Sequence, residues 1–124
     1  SAEYVVTEND LKDKDFDVKF YDSKAKTAYE VEVNKVTGEV REYKMELKGY
    51  EGSPNAVLSV EDVKQIVLKE YPDAAFKAVR LDVDKETGLK EYDVKFSTKA
   101  VIGDYDINPE NGQVVEKDIR YIGK

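Results

Sequence analysis

Apolar and polar residues alternate along most of this chain, and this alternation predicts β-strands. A strand in which every second residue is apolar turns one face to a core and the other to water. The clearest cases are residues 16–20 and 92–96, where aromatic residues and valine alternate with charged residues. The same pattern predicts further strands at residues 3–7, 29–33, 40–47, 79–83, 101–107 and 114–122.

One stretch departs from the alternation, and it predicts the single helix of the chain at about residues 59–71. Ser59 is a preferred N-cap residue, and Asp62 stands where a capping box usually has Glu or Gln. Pro72 disfavours helix at Tyr71, so the helix should end there. Apolar residues recur at helical spacing and form one stripe: Val60, Val63, Ile66, Val67 and Tyr71.

A helix this short is marginal on its own in water, so its apolar stripe must cover another element. Strand-like alternation fills both flanks of the helix, and the partner should therefore be a sheet. We expect Val63, Ile66 and Val67 to be buried against the strands that follow, at one or more of Leu81, Val94 and Ile107.

The strand pattern occurs twice, which indicates an internal repeat. Residues 16–20 and 92–96 are identical at four of five positions, at an offset of 76. The hairpin at residues 33–40 matches that at 107–114 at an offset of 74, so the two copies differ by two residues in one loop. We expect a first repeat at residues 1–50 and a second at residues 51–124, which alone contains a helix.

The predicted fold class is therefore α+β: an antiparallel sheet of two four-stranded meanders, with one helix packed on a sheet face. The first copy has an apolar face with no helix of its own to cover it: Phe16, Val18, Phe20, Tyr29, Val31 and Val33. Soluble monomers seldom leave such a face in water.

Three arrangements would cover this face. The two sheets merge so that one helix serves both, a symmetric partner covers it in an isologous homodimer, or an upstream segment supplies a helix. We expect a partner to cover it here and an upstream helix to be the native solution. The chain would then be a fragment cut after such a helix, or its first copy would be degenerate.

The composition of the chain excludes several classes of functional site and partner. The sequence has no cysteine and no histidine, which removes disulfides, cysteine–zinc sites, the commonest general base and the commonest metal ligand. The net charge of −7, without any basic run, argues against nucleic acid as a partner. No apolar run approaches a membrane span, so we expect no membrane insertion of this segment. We expect no cofactor and no metal.

Three groups of acidic or amide residues are candidate sites. The segment Asp82-x-Asp84-x-Glu86-Thr87-Gly88, with Asp93, has the wrong spacing for a calcium loop and predicts a charged hairpin. Residues 108–112, with their asparagines and Glu110, likewise predict a turn.

Glu30 and Glu32 share one strand face, but acid–base catalysis needs one carboxylate to be desolvated. We expect both to stay in water and pair with lysines of neighbouring strands. No serine lies in a nucleophile-elbow motif, so no catalytic residue is predicted and the chain should not be an enzyme.

Tyrosine is frequent, at nine residues. For the tyrosines within strands we expect core filling, with the hydroxyl reaching water at the sheet rim. The functional alternative is an aromatic sheet face that binds protein, because tyrosine is enriched at interfaces. These tyrosines are Tyr29, Tyr92, Tyr105 and Tyr121.

The order and spacing of these motifs closely resemble a PepSY repeat over residues 58–121. A partial second match, without its helix, covers about residues 3–45. The motifs that carry the resemblance are Leu58-Ser59-x-Glu61-Asp62-x-x-x-Ile66, Tyr71-Pro72-Asp73-Ala74, a strand ending in Asp84 and a glycine turn, Tyr92-x-Val94-x-Phe96, Tyr105-Asp106-Ile107-Asn108 and Gly112-x-Val114.

The resemblance implies a helix on an antiparallel sheet, similar to the fold of β-lactamase inhibitory protein. PepSY modules occur in pro-segments of thermolysin-like metallopeptidases and in bacterial secreted or membrane-anchored proteins, and include inhibitors or modulators of proteases. The family has no catalytic residues to carry over. The resemblance therefore favours an extracytoplasmic, non-enzymatic module that binds a protein partner, a peptidase among the candidates, through residues that remain unknown. The alternative is a structural domain of a larger envelope protein.

Overall fold

The computed structural model describes the backbone of residues 2–6 and all atoms of residues 15–122. One helix and eight strands follow in the order β1 (Ala2–Val6), β2 (Asp15–Asp22), β3 (Thr27–Asn34), β4 (Val40–Leu47), α1 (Val60–Glu70), β5 (Ala75–Val83), β6 (Lys90–Ser97), β7 (Val101–Ile107) and β8 (Val114–Tyr121). The predicted α+β class is confirmed. The sequence also predicts a polar turn at residues 8–14, and this segment lies outside the described residues.

All eight strands belong to one antiparallel sheet, in the order β1-β2-β3-β4-β8-β7-β6-β5. Each meander pairs its strands in sequence, and the two meanders join where β4 pairs with β8. At this junction Tyr43 lies opposite Ile119 and Met45 opposite Lys117. The first meander, β1–β4, and the second, β5–β8, therefore share one continuous apolar face and one continuous polar face.

Three of the hairpin loops have the same geometry, which follows from a shared local sequence. An Asn or Asp begins each loop, and the N–H of a glycine four residues later donates to its carbonyl oxygen. All three glycines have a positive φ, between 75° and 79°, which residues with a side chain rarely adopt. The loop pairs are Asn34 with Gly38, Asp84 with Gly88 and Asn108 with Gly112, at 2.7, 2.8 and 2.9 Å.

The helix begins with the predicted capping box. The Ser59 hydroxyl accepts the Asp62 N–H at 3.1 Å, and the Asp62 carboxylate accepts the Ser59 N–H at 2.8 Å. At the other end, the Tyr71 N–H donates to the Val67 carbonyl at 2.8 Å. Asp therefore serves in place of Glu at the third helical position, because its shorter carboxylate still reaches the N-cap amide.

The hydrophobic core lies between α1 and the apolar face of the second meander. Val63 and Val67 are fully buried, and Ile66 is half-buried against the same cluster. Val94 and Ile107 receive the helix, as expected. The other buried members of the cluster are Tyr92, Phe96, Val101, Tyr105 and Ile119.

Two expected core residues lie outside this core. Leu81 is 38% exposed, because it lies near the end of β5, the edge strand of the sheet. Val60 is 40% exposed. Helical side chains lean toward the N-terminus, so Val60, at the first helical position, extends past the end of the helix.

Gly103 makes room for the largest aromatic contact in the core. The ring of Phe96 lies directly over Gly103, where a Cβ would overlap the ring. Tyr105 meets Phe96 edge to face at 5.2 Å between ring centroids, and Tyr71 covers it from the end of α1 at 5.3 Å. The absence of a side chain at Gly103 thus allows the ring to lie between the sheet and the helix.

Candidate functional site

The apolar side of β2, β3 and β4 is the part of the sheet that α1 does not cover. α1 packs over β5 and β6, and its last turn reaches β7 and β8. We call the remaining apolar side the uncovered face. Eight of its side chains are half-buried: Phe16, Val18, Phe20, Tyr29, Val31, Val33, Tyr43 and Met45. Val40, opposite Val33, is 43% exposed.

The structure tests one of the three arrangements expected for this face, the merged sheet served by one helix. The two meanders do merge into one sheet. However, the one helix of the described residues lies over the second meander, so it does not serve both. Phe16, Val18 and Val31 are neither fully buried by the described residues nor fully exposed. What covers them stays a proposal.

The uncovered face has an aromatic cluster at its centre. Phe20 and Tyr29 stack with ring centroids 4.7 Å apart and planes 15° apart, and Tyr43 lies 6.4 Å from Tyr29. In the alignment of the two copies, Phe20 corresponds to Phe96 and Tyr29 to Gly103. In the first meander, Phe20 is therefore covered by Tyr29 of the same sheet. In the second meander, the corresponding residue is Gly103, which leaves room for Phe96 beneath the helix.

The alternation of residues 40–47 predicts that Tyr43, Met45 and Leu47 share one strand face, and the pairing of β3 with β4 places Tyr43 and Met45 on the uncovered face. The six residues expected for the apolar face of the first copy did not include these two. Tyr43 also packs against the buried core cluster, so it joins the uncovered face to the covered one. Among the tyrosines weighed as binding residues, Tyr29 is the one that belongs to the uncovered face.

The strand tyrosines of the second meander serve the fold instead. Tyr92 and Tyr105 are buried, and their hydroxyls donate to the helix segment, whereas we expected them to reach water at the sheet rim. Tyr92 donates to the Leu58 carbonyl at 2.8 Å, and Tyr105 donates to the Glu70 carboxylate at 2.5 Å. Burial, followed by the neighbouring Glu70, raises the pKa of Tyr105. Tyr121 is exposed at the end of β8.

The two candidate carboxylates of β3 have different surroundings. Glu30 lies opposite Lys19 and Lys44, as expected. Glu32 lies opposite Asp17 and Glu42, so its expected pairing with lysine is wrong. Burial, then Asp15 and Asp17, raise the pKa of Glu32. Glu30 and Glu32 differ because the residues opposite Glu30 on β2 and β4 are lysines, whereas those opposite Glu32 are acidic.

The segment that partly resembles a calcium loop forms the hairpin between β5 and β6. The Asp84 carboxylate accepts the N–H groups of Glu86 and Thr87 at 2.8 and 3.1 Å. The backbone N–H groups of Thr87 and then Glu86 lower the pKa of Asp84. Asn108 has the matching role in the last hairpin, where its side-chain oxygen accepts the Glu110 N–H at 2.8 Å.

The polar side of the sheet bears rows of charged residues across the strands. Lys95 forms ion pairs with Asp104 at 2.7 Å and with Asp93 at 3.3 Å. Over β2, β3, β4 and β8 the sheet forms a groove of about 490 Å³, with Ala28 among its lining residues. We call the side of the sheet that bears Glu30, Glu42, Lys95 and Asp106 the polar face.

Comparison with known families identifies the second meander and its helix. The family model of the peptidase propeptide and YPEB domain, PepSY, matches residues 57–118, half of the chain. The chain belongs to the PepSY family. The matched segment begins just before α1 and ends within β8, so the PepSY unit is a capped helix on a four-stranded meander.

PepSY modules are of the propeptide or inhibitor type and are generally non-catalytic. No curated protein and no solved structure gives a significant match to the chain. Within the described residues, no helix has the length and apolar character to cross a membrane.

Proposed function

We propose that this chain is a non-enzymatic, extracytoplasmic PepSY module that binds a protein partner through the uncovered face. The observation that carries the proposal is the asymmetry of the sheet. One continuous apolar face runs across both meanders, and α1 covers only the second. The family supports a peptidase as the class of partner. Residues 1–50 and 51–124 would then be two repeats, one closed by its helix and one open for binding.

The composition of the uncovered face suits protein binding. Its centre is aromatic, with the Tyr29 ring next to those of both Phe20 and Tyr43. Tyrosine, phenylalanine and methionine are enriched in interfaces. A rigid aromatic side chain such as tyrosine buries a large area for a small loss of conformational freedom. A partner that buried these half-exposed rings would gain roughly 25 cal/mol for each Å² of apolar surface removed from water.

The test uses the purified chain and a purified thermolysin-like metallopeptidase. We expect a saturable complex in calorimetric titration and a change in the rate at which the peptidase cleaves a peptide substrate. Val31→Lys places a charge at the centre of the uncovered face, opposite Val18 and Tyr43. It should weaken the complex at least tenfold, because the charge must be desolvated.

Glu30→Gln is the matched control. It changes the net charge by the same amount, at the adjacent position of the same strand, but on the polar face. We expect it to bind like the unsubstituted chain. Equal weakening by both variants would contradict binding through the uncovered face, provided that circular dichroism shows both variants folded.

A second candidate function is a structural domain of a larger envelope protein. The uncovered face would then be packed against another segment of that protein and would not bind a peptidase. Absence of any complex with the peptidase, together with unchanged cleavage, favours this alternative.

A further inference from the structure

The polar face places acidic residues directly opposite one another on neighbouring strands. Residues directly opposite in an antiparallel sheet have Cβ atoms roughly 4.5–5.5 Å apart, and like charges there are destabilising. The acidic pairs in register are Asp17–Glu32, Glu32–Glu42, Glu46–Glu116, Asp104–Asp118, Asp106–Glu116, Asp93–Asp106 and Asp82–Glu91. Such a series makes the charged state of this face costly to the fold.

Asp106 lies at the centre of the densest acidic group. Across β6 it faces Asp93 and, diagonally, Glu91, and across β8 it faces Glu116. Burial, then Glu91 and Glu116, raise the pKa of Asp106 to about 8. Other charged groups on the same side of these and the next strands are Asp104 on its own strand, Asp118 and Arg120 on β8, Lys95 on β6, Asp82 and Arg80 on β5, and Glu42, Lys44 and Glu46 on β4.

Glu42 forms a second acidic group at the junction of the two meanders. Asp118 lies diagonally across β8 and shares a hydrogen bond with Glu42, and Glu32 faces Glu42 from β3. The hydrogen bond with Asp118, followed by burial, raises the pKa of Glu42 to about 7. Arg120 faces Glu42 from β8, and Lys44 lies 4.0 Å from it on β4.

Residues opposite one another on successive strands form rows across the polar face, and lysines balance the acidic charges of the row that contains Glu30, Asp118 and Asp104. Lys95 bridges Asp93 and Asp104, and Lys44 lies between Asp118 and Glu30. The row that contains Asp106 and Glu116 runs from Arg80, opposite Asp93, to Glu46, which pairs with Lys48 at 3.2 Å, and no cation lies directly opposite Asp106 or Glu116. Protons are the simplest means of removing the remaining repulsion.

We propose that the polar face is a proton-responsive surface that stabilises the fold as the pH falls from about 8 toward 5. A carboxyl group whose pKa is higher in the folded than in the unfolded chain binds more protons when folded. The free energy of unfolding then decreases as pH rises through the folded pKa values, near 7 for Glu42 and 8 for Asp106. The stabilisation is fully present only below the ordinary carboxyl range.

The experiment is thermal unfolding of the whole chain at pH 5.5 and pH 8.0, at constant ionic strength. We expect the Tm at pH 5.5 to be higher by about 4 °C or more. In a domain of this size, a tenfold change in the folding equilibrium shifts the Tm by several degrees. Asp106→Asn keeps the shape of the side chain without its charge. It should raise the Tm at pH 8.0 and reduce the difference between the two pH values.

Asp73→Asn is the matched control, because Asp73 is exposed in the turn after α1. It should leave the pH difference unchanged. Direct titration of the carboxyl carbons by NMR in the unsubstituted chain gives an independent measurement, should Asp106→Asn fail to fold. A Tm that is equal or higher at pH 8.0 would overturn the proposal, as would ordinary titration of both Asp106 and Glu42.

Discussion

Replacing Val67 with alanine measures how strongly the fold depends on contact between α1 and the sheet. Val67 is fully buried in the middle of the helix, in the cluster that contains Val94, Phe96 and Tyr105. Its carbonyl also accepts the Tyr71 N–H that ends the helix, but that bond is made by the backbone and survives the substitution. The change therefore removes packing and little else.

Three contributions determine how much Val67→Ala changes the free energy of unfolding. Two carbon atoms leave the core, at about 0.8 kcal/mol each. The remaining cavity adds to this cost, because a fully buried site relaxes only in part. Alanine has the better helix propensity and returns roughly half a kcal/mol. We therefore expect Val67→Ala to lower the free energy of unfolding by about 2 kcal/mol.

The assay is urea denaturation followed by circular dichroism, with the m-value checked for two-state behaviour. Val60→Ala is the control, since it makes the same change in the same helix at a residue that is 40% exposed. We expect it to change stability by less than about 0.5 kcal/mol. A similar small effect for Val67→Ala would refute the assignment of this stripe to the core.

Other predictions concern caps, close contacts and metals. Ser59→Ala should cost about 1 kcal/mol in urea melts, whereas Ser59→Asn should retain the cap; equal losses would count against the capping box. Gly103→Ala should cost at least about 1 kcal/mol, because its Cβ meets the Phe96 ring. A neutral result there would mean that the ring lies elsewhere. Tyr105→Phe removes the hydroxyl that donates to Glu70 and should cost about 1 kcal/mol, with an unchanged Tm as the contrary outcome. Calcium or EDTA should shift the Tm by less than about 1 °C, and a shift of several degrees would indicate a structural metal.

Much of the fold could be predicted from sequence because its signals are local. The cap at Ser59 and the stop at Tyr71 lie within the helix segment itself, and the helix runs between them as expected. Likewise, each of the three similar hairpins is determined by an Asn or Asp and a glycine four residues later. Alternation then determines which side chains of each strand share a face.

The junction of the two meanders could not be predicted in the same way. β4 and β8 are far apart in the sequence, and alternation describes a strand without naming its neighbour. The surroundings of Glu42 depend on that choice of neighbours, because Arg120 faces it from β8. Glu32 lies between β2 and β4 of its own meander, where the register places Asp17 and Glu42 opposite it, so the expectation that Glu32 would face lysine was wrong. The partners of Tyr92 and Tyr105 also depend on tertiary packing, since their hydroxyls reach Leu58, just before α1, and Glu70, at its end, only after the helix packs on the sheet.

The continuous sheet also separates the two proposed properties of the chain. Along β3, Tyr29 and Val31 belong to the uncovered face, while Glu30 and Glu32 between and after them belong to the polar face. A strand of period two allows substitution of one face with little change to the other. Binding through the uncovered face and proton uptake on the polar face can therefore be tested independently. If Val31→Lys abolished the pH dependence of stability, or Asp106→Asn abolished binding, the two faces would be coupled through the sheet, and neither property could be assigned to one face alone.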